Sequence, residues 1–270
     1  RSGADFVAHN SRNFAASDDE WSSPVCAEVG PDGALWVIDW YNYIIQHNPT
    51  PQGFENGAGN AYETPLRDKT HARIWRLRPT GARLERDRPL SRLSTGERVA
   101  ALGSPSLDRR LLAQALLVVS ADAQTNDLLR LALADEAVDG LGHAPLVLHA
   151  LHALAQRDWF TQSSSGMTAL AALLRHKVSS VRMAAAACVP VSTDGAASLL
   201  ASGLLDDPLP QVRRAACAAL AGLPSYEPAG RKLYTLLDSP QDRRLTETAL
   251  VAAGVHAAGF LAAALDEAPT

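Results

Sequence analysis

The order of apolar and polar residues predicts a β-strand early in the chain. The sequence Pro31-Asp32-Gly33 is typical of a turn, because proline fixes φ, aspartate accepts a local hydrogen bond and glycine tolerates positive φ. Residues 35–38 follow as a short apolar run, Leu-Trp-Val-Ile, with the length and β-branched content of a buried strand. We therefore predict a turn that leads directly into a strand.

A second strand is predicted at residues 72–77, where side chains alternate with a period of two. Its two faces are formed by Arg73, Trp75 and Leu77 and by Ile74, Arg76 and Arg78. An irregular polar stretch, residues 43–70, separates the two strands. This arrangement is typical of neighbouring strands in one antiparallel sheet that are joined by a functional loop.

From residue 93 onward the pattern changes to alanine- and leucine-rich segments with apolar positions at i, i+3, i+4 and i+7, the spacing of helices. The sequences around Val181 and Val212 match each other. Weaker copies occur one further repeat along the chain, at Arg243, and upstream near Arg109. A repeat of about 31 residues that is built from helix pairs is typical of an α-solenoid.

The best copy, Asp-x-x-x-x-Val-Arg-x-x-Ala-x-x-Ala-Leu at residues 207–220, resembles HEAT repeats. The resemblance implies that valine and alanine pack one helix against its neighbour and that an Asp/Arg pair links adjacent repeats. Four or five helix pairs fit between residues 93 and 265. The predicted fold is α+β by segments, with a β-rich region at residues 1–79, a charged Pro/Gly-containing linker at residues 80–92 and an all-α, HEAT-like solenoid at residues 93–270.

Composition and charge narrow the classes of function. The 270 residues are 47% hydrophobic, enough for a substantial core, and carry a formal charge of −4 with scattered basic residues. We predict no nucleic-acid partner, because binding to phosphates needs clustered Lys and Arg. No apolar run approaches the roughly 20 residues of a membrane helix, so no membrane span is expected. The first residues contain neither Met nor a signal peptide, which we interpret as a piece of a larger protein.

The three cysteines, Cys26, Cys188 and Cys217, lie far apart and form no CxxC or CxxCH motif. Neither a structural zinc site nor a covalently attached haem is therefore expected. We predict that all three are small buried side chains.

An ordered series of short motifs runs through residues 13–78. They are Ser17-Asp18, Trp21, Pro24-Val25, Gly30 to Leu35, Asp39, Tyr41-Asn42, Ile44-Ile45, His47, Arg67-Asp68, Thr70-His71 and Arg73-Ile74-Trp75-Arg76. In this order they resemble the final blade of the β-propeller in the planctomycete-type membrane-bound dehydrogenase family, a group of large secreted proteins. The chain departs from the family pattern at Tyr43, where proline is expected, and at Ala72, where glycine is expected. The loop after His47 also carries extra residues, which include Gly53, Gly57 and Gly59.

The resemblance implies an antiparallel propeller blade followed by HEAT-like repeats. The family is similar to soluble glucose and sorbosone dehydrogenases, whose propellers hold pyrroloquinoline quinone, and its members commonly end in a cytochrome c domain. By this resemblance the protein would be periplasmic or secreted. The remaining propeller blades of the parent protein would be its partners, and pyrroloquinoline quinone and calcium would be bound mainly by blades absent from this chain.

Eight polar residues near the loop are candidates for the wall of the propeller's central funnel: Asp39, Tyr41, Asn42, His47, Arg67, Asp68, His71 and Arg73. Arg67 and Arg73, with Tyr41 and Asn42, would bind the cofactor, since a guanidinium group pairs with carboxylates in a planar fork. His47 or His71 would act as the general base in alcohol oxidation. Asp39 and Asp68 are the candidate calcium ligands.

A structural interpretation competes with this one for most of these residues. Asp39 and Asn42 are also common turn formers, and Arg67-Asp68 is also a local ion pair. His71 and Arg73 are also suited to the edge of a strand. In the helical half, His149 and His152 share a helix face, which without a nearby carboxylate is a weak metal signal.

Two functions from different classes follow. The first is a fragment of a quinone-dependent sugar or alcohol dehydrogenase that is catalytically inactive in isolation. The alternative is a non-enzymatic HEAT-repeat scaffold that binds a protein or a glycan, because helical arrays more often bind partners than catalyse reactions.

Overall fold

The computed structural model of the chain describes residues 3–5, 12–30, 32–43, 52–53, 70–81, 88–238 and 242–266. The chain divides into two units. We refer to residues 9–88 and 106–108 as the sheet unit, and to residues 1–8, 89–105 and 109–270 as the helical unit.

Three antiparallel strands form the described part of the sheet unit: β1 (Pro24–Val29), β2 (Leu35–Asp39) and β3 (Arg73–Leu77), in the order β1-β2-β3. The two strands that the sequence predicts, β2 and β3, are confirmed, and they are neighbours as expected. The burial indicated for β2 was wrong, because Trp36 and Ile38 are 38% and 48% exposed on one face of the small sheet. Their register pairs Val37 with Trp75 and Asp39 with Arg73. β1 is an addition that the hydrophobic pattern did not reveal, since its six residues, PVCAEV, are all exposed.

The turn before β2 has the predicted chemistry. Gly33 has a positive φ of 75°, and the Asp32 carboxylate accepts a hydrogen bond from the backbone N–H of Ala34 at 3.1 Å. The backbone N–H of Gly30 donates to the carbonyl oxygen of Ala34 at 2.9 Å, which closes the turn. The Asx-type acceptor and the left-handed glycine together set the register between β1 and β2.

Both faces of the sheet expose large apolar side chains. Ile74 is 67% exposed and its cross-strand partner Ile38 is 48% exposed. On the opposite face, Trp75 is 45% exposed. A sheet of three strands is too small to bury both of its own faces, and edge strands with exposed apolar residues invite further association.

From residue 95 onward the described residues form a succession of α-helices joined by turns and loops. They are α1 (Thr95–Ala101), α2 (Leu107–Val118), α3 (Thr125–Ala132), α4 (Pro145–Gln156), α5 (Trp159–Gln162), α6 (Gly166–Leu173), α7 (Ser179–Ala187), α8 (Thr193–Ala201), α9 (Pro210–Ala221), α10 (Glu227–Asp238), α11 (Arg243–Val255) and α12 (Ala257–Asp266), with short 3-10 helices at Leu90–Arg92 and Leu204–Asp206.

The helices pack in two rows. In one row α4 contacts α7, α7 contacts α9 and α9 contacts α11, while in the other α8 contacts α10 and α10 contacts α12. A continuous hydrophobic core runs through the array and includes the fully buried Leu151, Val181, Val212, Leu220 and Leu245. The equivalents Val181 and Val212 both lie in this core, so the prediction of a helical, repeat-like second half is confirmed.

The same contact between an arginine side chain and backbone carbonyl oxygens recurs in three of the helices. Arg110, Arg182 and Arg213 are each the fourth residue of their helix, α2, α7 and α9. Each directs Nη1 to the carbonyl oxygen six residues before it, at 2.6, 2.8 and 2.7 Å, and to the one five residues before it, at 3.1, 3.2 and 3.4 Å. Each arginine therefore closes the loop that leads into its own helix.

A link between successive helix pairs is also present, as the HEAT resemblance implied. Arg182 of α7 forms a two-pronged ion pair with Asp207, with Nε to Oδ2 at 2.8 Å and Nη2 to Oδ1 at 3.1 Å. Asp207 lies in the turn before α9, and its side chain is only 6% exposed.

Two further expectations can be compared with the described residues. Among these residues no single helix is long and apolar enough to cross a membrane, and α11 and α12 meet the length and composition criteria only together, across a bend of 102°. Of the cysteines, Cys217 is buried and Cys188 is half-buried, but the prediction for Cys26 was wrong. Cys26 is exposed because it lies on β1, which has no covering layer within the described part of the sheet unit.

Candidate functional site

The residues nominated from the sequence fall into two groups. His47, Arg67 and Asp68 lie outside the described residues. The others cluster where β2 ends and β3 begins. Asp39 is the last residue of β2, Tyr41 and Asn42 follow it, and Arg73 is the first residue of β3, with His71 just before it.

Asp39 is the centre of this cluster and is fully buried. Its Oδ1 accepts hydrogen bonds from the backbone N–H groups of Ser23 at 2.7 Å and Tyr41 at 3.0 Å. Its Oδ2 accepts from Trp75 Nε1 at 2.9 Å, from Arg73 Nη2 at 2.9 Å and Nε at 3.1 Å, and from Ser22 Oγ at 3.2 Å. One carboxylate thus joins the segment before β1, the end of β2 and the start of β3.

Arg73 is held equally firmly. Besides Asp39, it donates through Nη1 to Asp19 Oδ2 at 2.8 Å. Its guanidinium carbon lies 4.0 Å from the centroid of the Tyr41 ring and 5.0 Å from that of Trp75. A planar cation between two aromatic rings and two carboxylates is a stable arrangement, since cation–π and charge-assisted contacts act together.

The backbone after β2 is shaped to complete the cluster. Tyr41 has a φ of 55°, in the left-handed region that a residue with a bulky side chain rarely adopts. This conformation turns its N–H toward Asp39 and its ring over Arg73. The carbonyl oxygen of the next residue, Asn42, accepts a hydrogen bond from Ser23 Oγ at 2.8 Å. The conformational cost of Tyr41, about 1 kcal/mol, is offset by these contacts.

Electrostatics favour the charged form of Asp39. Burial by itself raises the pKa of this carboxyl, but the hydrogen bonds from Trp75, Ser23, Tyr41 and Arg73 outweigh burial and hold the pKa far below its usual range. The pKa of Asp19 is also lowered, by the Trp21 N–H and by Arg73. The cluster is therefore an ionised Asp–Arg–Asp network at neutral pH.

The described residues do not fit the quinone cofactor that the family resemblance implies. Arg73 would have to leave both of its carboxylates to bind an acidic quinone, and the ring of Tyr41 is already covered by the guanidinium. Asp39 would have to give up six hydrogen bonds to bind calcium. Exposed His71, whose Nδ1 is 3.0 Å from Thr70 Oγ1, is the one described candidate base with access to solvent. The geometry favours the structural interpretation of Asp39 and Arg73, and the catalytic role of His71 stays a prediction.

Several members of the cluster were missed by sequence reasoning. Asp19, Ser22 and Ser23 precede β1, far from Asp39 in the chain, and nothing in their local pattern indicates a shared partner. Trp75 was assigned to a strand face but not to a hydrogen bond. One signal was present in the sequence, because Trp75 and Arg73 fall on the same face and Asp39 ends the adjacent strand.

A pocket of about 370 Å³ lies in the same unit. On one side it is lined by Val37, Trp75 and Leu77 of the sheet, and on another by Ala15, Ser17 and Ser22 of the segment before β1. Its size is at the lower end of the range for small-molecule sites. Its lining is apolar apart from two hydroxyl groups, which suits a side chain of another protein better than a charged cofactor.

The histidines of the helical unit are engaged in packing contacts. His149 accepts at Nε2 from Arg110 Nε at 3.1 Å, and its Nδ1 lies 2.7 Å from Gln114 Oε1. Burial, together with the charges of Arg110 and His152, lowers the pKa of His149 to about 4. His152 Nδ1 lies 3.6 Å from the thiol of Cys188, whose pKa is raised to about 11 by burial. Among the described residues, no group of three or more His, Cys, Asp or Glu side chains is placed to hold a metal ion.

The chain is similar to one protein family over its first residues and to a solved structure over a longer stretch. Residues 1–81 match a family described as "Domain of unknown function (DUF7133)", which covers 81 of the 270 residues. A comparison with curated proteins found no match. Among solved structures, the chain is similar to the complex of CpcE and CpcF of phycocyanin lyase from Nostoc sp. PCC7120, with 23% identity over 68% of this chain and 83% of that chain. The TM-score is 0.35, too low for this similarity to support an argument.

Proposed function

We propose that this chain is a non-catalytic protein-interaction module. In this proposal the sheet unit is one blade of a β-propeller that further strands outside this chain complete, and the helical unit is a HEAT-like scaffold that binds a protein partner. This function is the scaffold alternative predicted from the sequence. It shares with the dehydrogenase hypothesis only the membership of the sheet in a larger propeller.

The observation that carries the proposal is the contrast within the sheet unit. The polar residues nominated for chemistry are engaged with one another, Asp39 with Arg73 and Arg73 with Asp19. The apolar residues are exposed on both faces, among them Ile74 and Trp75. A surface that presents apolar side chains and satisfies its own charges is suited to packing against protein.

The order of the motifs in residues 13–78 supports the propeller part of the proposal. Stacked blades cover each other's faces, which would bury Ile38 and Ile74 here. The parent would then be a periplasmic or secreted sugar or alcohol dehydrogenase with pyrroloquinoline quinone and calcium in its other blades. That wider proposal rests on the resemblance alone.

Catalysis by this chain is tested directly with a dye-reduction assay. The purified chain is supplied with pyrroloquinoline quinone, calcium, a panel of sugars and an artificial electron acceptor. We expect no reduction above the rate of the same mixture without protein, because Arg73, the described member of the candidate guanidinium pair, is already paired with Asp19 and Asp39. Robust dye reduction by the chain alone would refute the proposal.

The interaction surface is tested by sedimentation velocity. With both sheet faces open, the wild-type chain should self-associate as its concentration rises. Ile74→Lys places a charge in the middle of one face and should shift the chain toward the monomer, whereas the matched change Leu250→Lys, at a residue of α11 that is 55% exposed, should leave association unchanged. A wild-type chain that stays monomeric throughout, or equal effects of both variants, would contradict the assignment of the sheet as the interaction surface.

A further inference from the structure

Near the start of the sequence, a short segment packs against helices that lie more than 200 residues further along the chain. The segment comprises Gly3, Ala4 and Asp5, and it contacts α9 and α11 near the other end of the chain. Gln211 Nε2 donates to the carbonyl oxygen of Gly3 at 2.6 Å, and Arg214 Nη1 donates to that of Ala4 at 3.0 Å. Two consecutive peptide carbonyls are therefore bound by side chains of one helix.

The next residue of the segment is bound through its side chain. The Asp5 carboxylate lies 3.5 Å from Arg214 Nη1 of α9 and 3.5 Å from Arg244 Nε of α11. Two arginines on neighbouring helices thus converge on one acidic group, a geometry that selects for Asp or Glu. The charge of Arg244 is directed to the segment and to Glu247.

The site is partly buried, and it contains one side-chain oxygen that accepts no hydrogen bond from the described residues. Ala4 is only 2% exposed and belongs to the hydrophobic core of the helical unit. Gln211 is 8% exposed, and among the described residues nothing donates to its Oε1. A buried amide that donates to one peptide carbonyl and has a further acceptor without a described donor is suited to bind the main chain of a peptide.

The first position of the segment favours glycine. Gly3 has a positive φ of 54°, and a Cβ atom there would clash with the carboxylate of Asp242 at the start of α11. Glycine is therefore favoured at this position, because any other residue would strain the backbone and displace the Asp242 carboxylate. The site therefore discriminates at two positions, for glycine at the first and for an acidic residue at the third.

We propose that the surface formed by Gln211, Arg214, Asp242 and Arg244 is a binding site for a short peptide of the form Gly-small-Asp/Glu whose glycine adopts a positive φ, and that residues 3–5 occupy it as an intramolecular ligand. The site thus accepts a peptide from a partner only when the internal segment is displaced. This inference names a partner class for the helical unit, and to that extent it rests on the scaffold function proposed above.

The test uses the full chain and a fluorescein-labelled peptide with the sequence of residues 1–8. In the wild-type chain the internal segment competes with the peptide. Gly3→Val removes the competitor, because valine fits neither the positive φ nor the space beside Asp242. By fluorescence polarisation the peptide should bind the Gly3→Val chain at least about tenfold more tightly than the wild type. Adding Arg214→Gln to Gly3→Val should weaken binding at least about tenfold, whereas adding the control Arg243→Gln, whose described partner is Glu247, should not.

A second release variant guards against a folding defect in the first. Asp5→Lys brings a positive charge to Arg214 and Arg244 and should expel the segment without changing a helix residue. The peptide should bind this variant as it binds Gly3→Val, and a peptide with Gly3→Val and Asp5→Asn should bind neither. The inference is overturned if the labelled peptide binds neither release variant, or if Arg214→Gln has no effect. Either result would exclude this peptide site but would not affect the proposed scaffold function. That function is tested separately, by the dye-reduction assay and by sedimentation velocity of the sheet variants.

Discussion

Asp39 illustrates how one residue can determine the state of a whole unit. Its carboxylate is buried and accepts hydrogen bonds from three separate segments. A buried charge that loses its partners costs more than the partners contribute when present, because the desolvation of the remaining group is then uncompensated. The sheet unit should therefore be unusually sensitive to changes at this position.

We predict that Asp39→Asn destabilises the sheet unit by about 2–3 kcal/mol, since an amide offers one acceptor where Arg73, Trp75 and Ser23 present several donors. Four of the five tryptophans lie in the sheet unit, so tryptophan fluorescence in a urea titration is the measurement. The matched control is Asp32→Asn. Asp32 also accepts from a tryptophan and an arginine, Trp36 and Arg76, but at the surface. Equal midpoint shifts for the two variants would mean that burial of Asp39 does not matter.

Acid should act on the helical unit through His149. Burial first, and then the charges of Arg110 and His152, lower the pKa of this imidazole from 6.5 to about 4. The unfolded chain takes up the proton near pH 6.5, whereas the folded chain resists it until about pH 4. The contribution of this group to stability is therefore complete above pH 6.5 and is lost as the pH falls toward 4.

The variant His149→Gln removes this titration. Between pH 7 and pH 5 the wild type should lose about 1 kcal/mol more stability than the variant, a value reduced for the partial exposure of the ring. Urea unfolding followed by circular dichroism at 222 nm is suitable, because the signal comes mainly from the helices. His176 and His256, whose pKa values are also lowered by burial, are present in both proteins, and their contributions cancel. Identical pH profiles would show that His149 is not a source of acid sensitivity.

At the scale of the element, the linkage between helix pairs depends on Arg182. It forms an ion pair with Asp207 in which the arginine side chain is 14% exposed and the aspartate side chain is 6% exposed. Arg182→Gln leaves the Asp207 carboxylate buried without its charge partner and also opens the loop closed by Nη1. We expect a loss of about 3–5 kcal/mol in the helical unit, measured by urea unfolding.

A matched substitution at the surface shows how much of the loss in stability comes from burial of the ion pair and how much from the loss of a charge. Arg243→Gln breaks a pair with Glu247 that is 86% and 45% exposed and should leave the unfolding midpoint unchanged. Asp207→Asn combined with Arg182→Gln should cost less than the sum of the two single changes, because each single change leaves a partner unpaired. Strict additivity would show that the two side chains are not coupled.

The elements themselves were largely predictable, and the reason is periodicity. β2 was indicated by a short apolar run after a turn, β3 follows a period of two around Trp75, and the helices carry apolar residues at helical spacing. β1 was missed because PVCAEV has neither a clear alternation nor a buried face. The candidate site was predicted as a group of residues but not as a network, since the partners Asp19 and Ser23 of Arg73 and Asp39 are defined by tertiary contact and have no local signature.

At the scale of the whole molecule, the sequence distinguishes an aromatic, turn-rich part from an alanine-rich part, and the structure divides into a sheet unit and a helical unit. The contact of Gly3 and Ala4 with Gln211 and Arg214 had no counterpart in the sequence analysis. Groups more than 200 residues apart in the sequence meet there. The segment takes part through backbone carbonyl groups, and every residue has such a group. Such contacts leave no trace in composition and are defined only by the tertiary structure.

The recurring arginine also bears on how the helical unit is able to change in length over evolution. Arg110, Arg182 and Arg213 each close a loop that belongs to the same repeat as the arginine itself. A duplicated gene segment of one repeat would therefore bring its own loop closure with it and would need only a new neighbour to stack upon. Helical arrays constructed in this way gain or lose a unit without redesign of the adjoining ones, and selection can then adjust the length of the array to the size of the partner it binds.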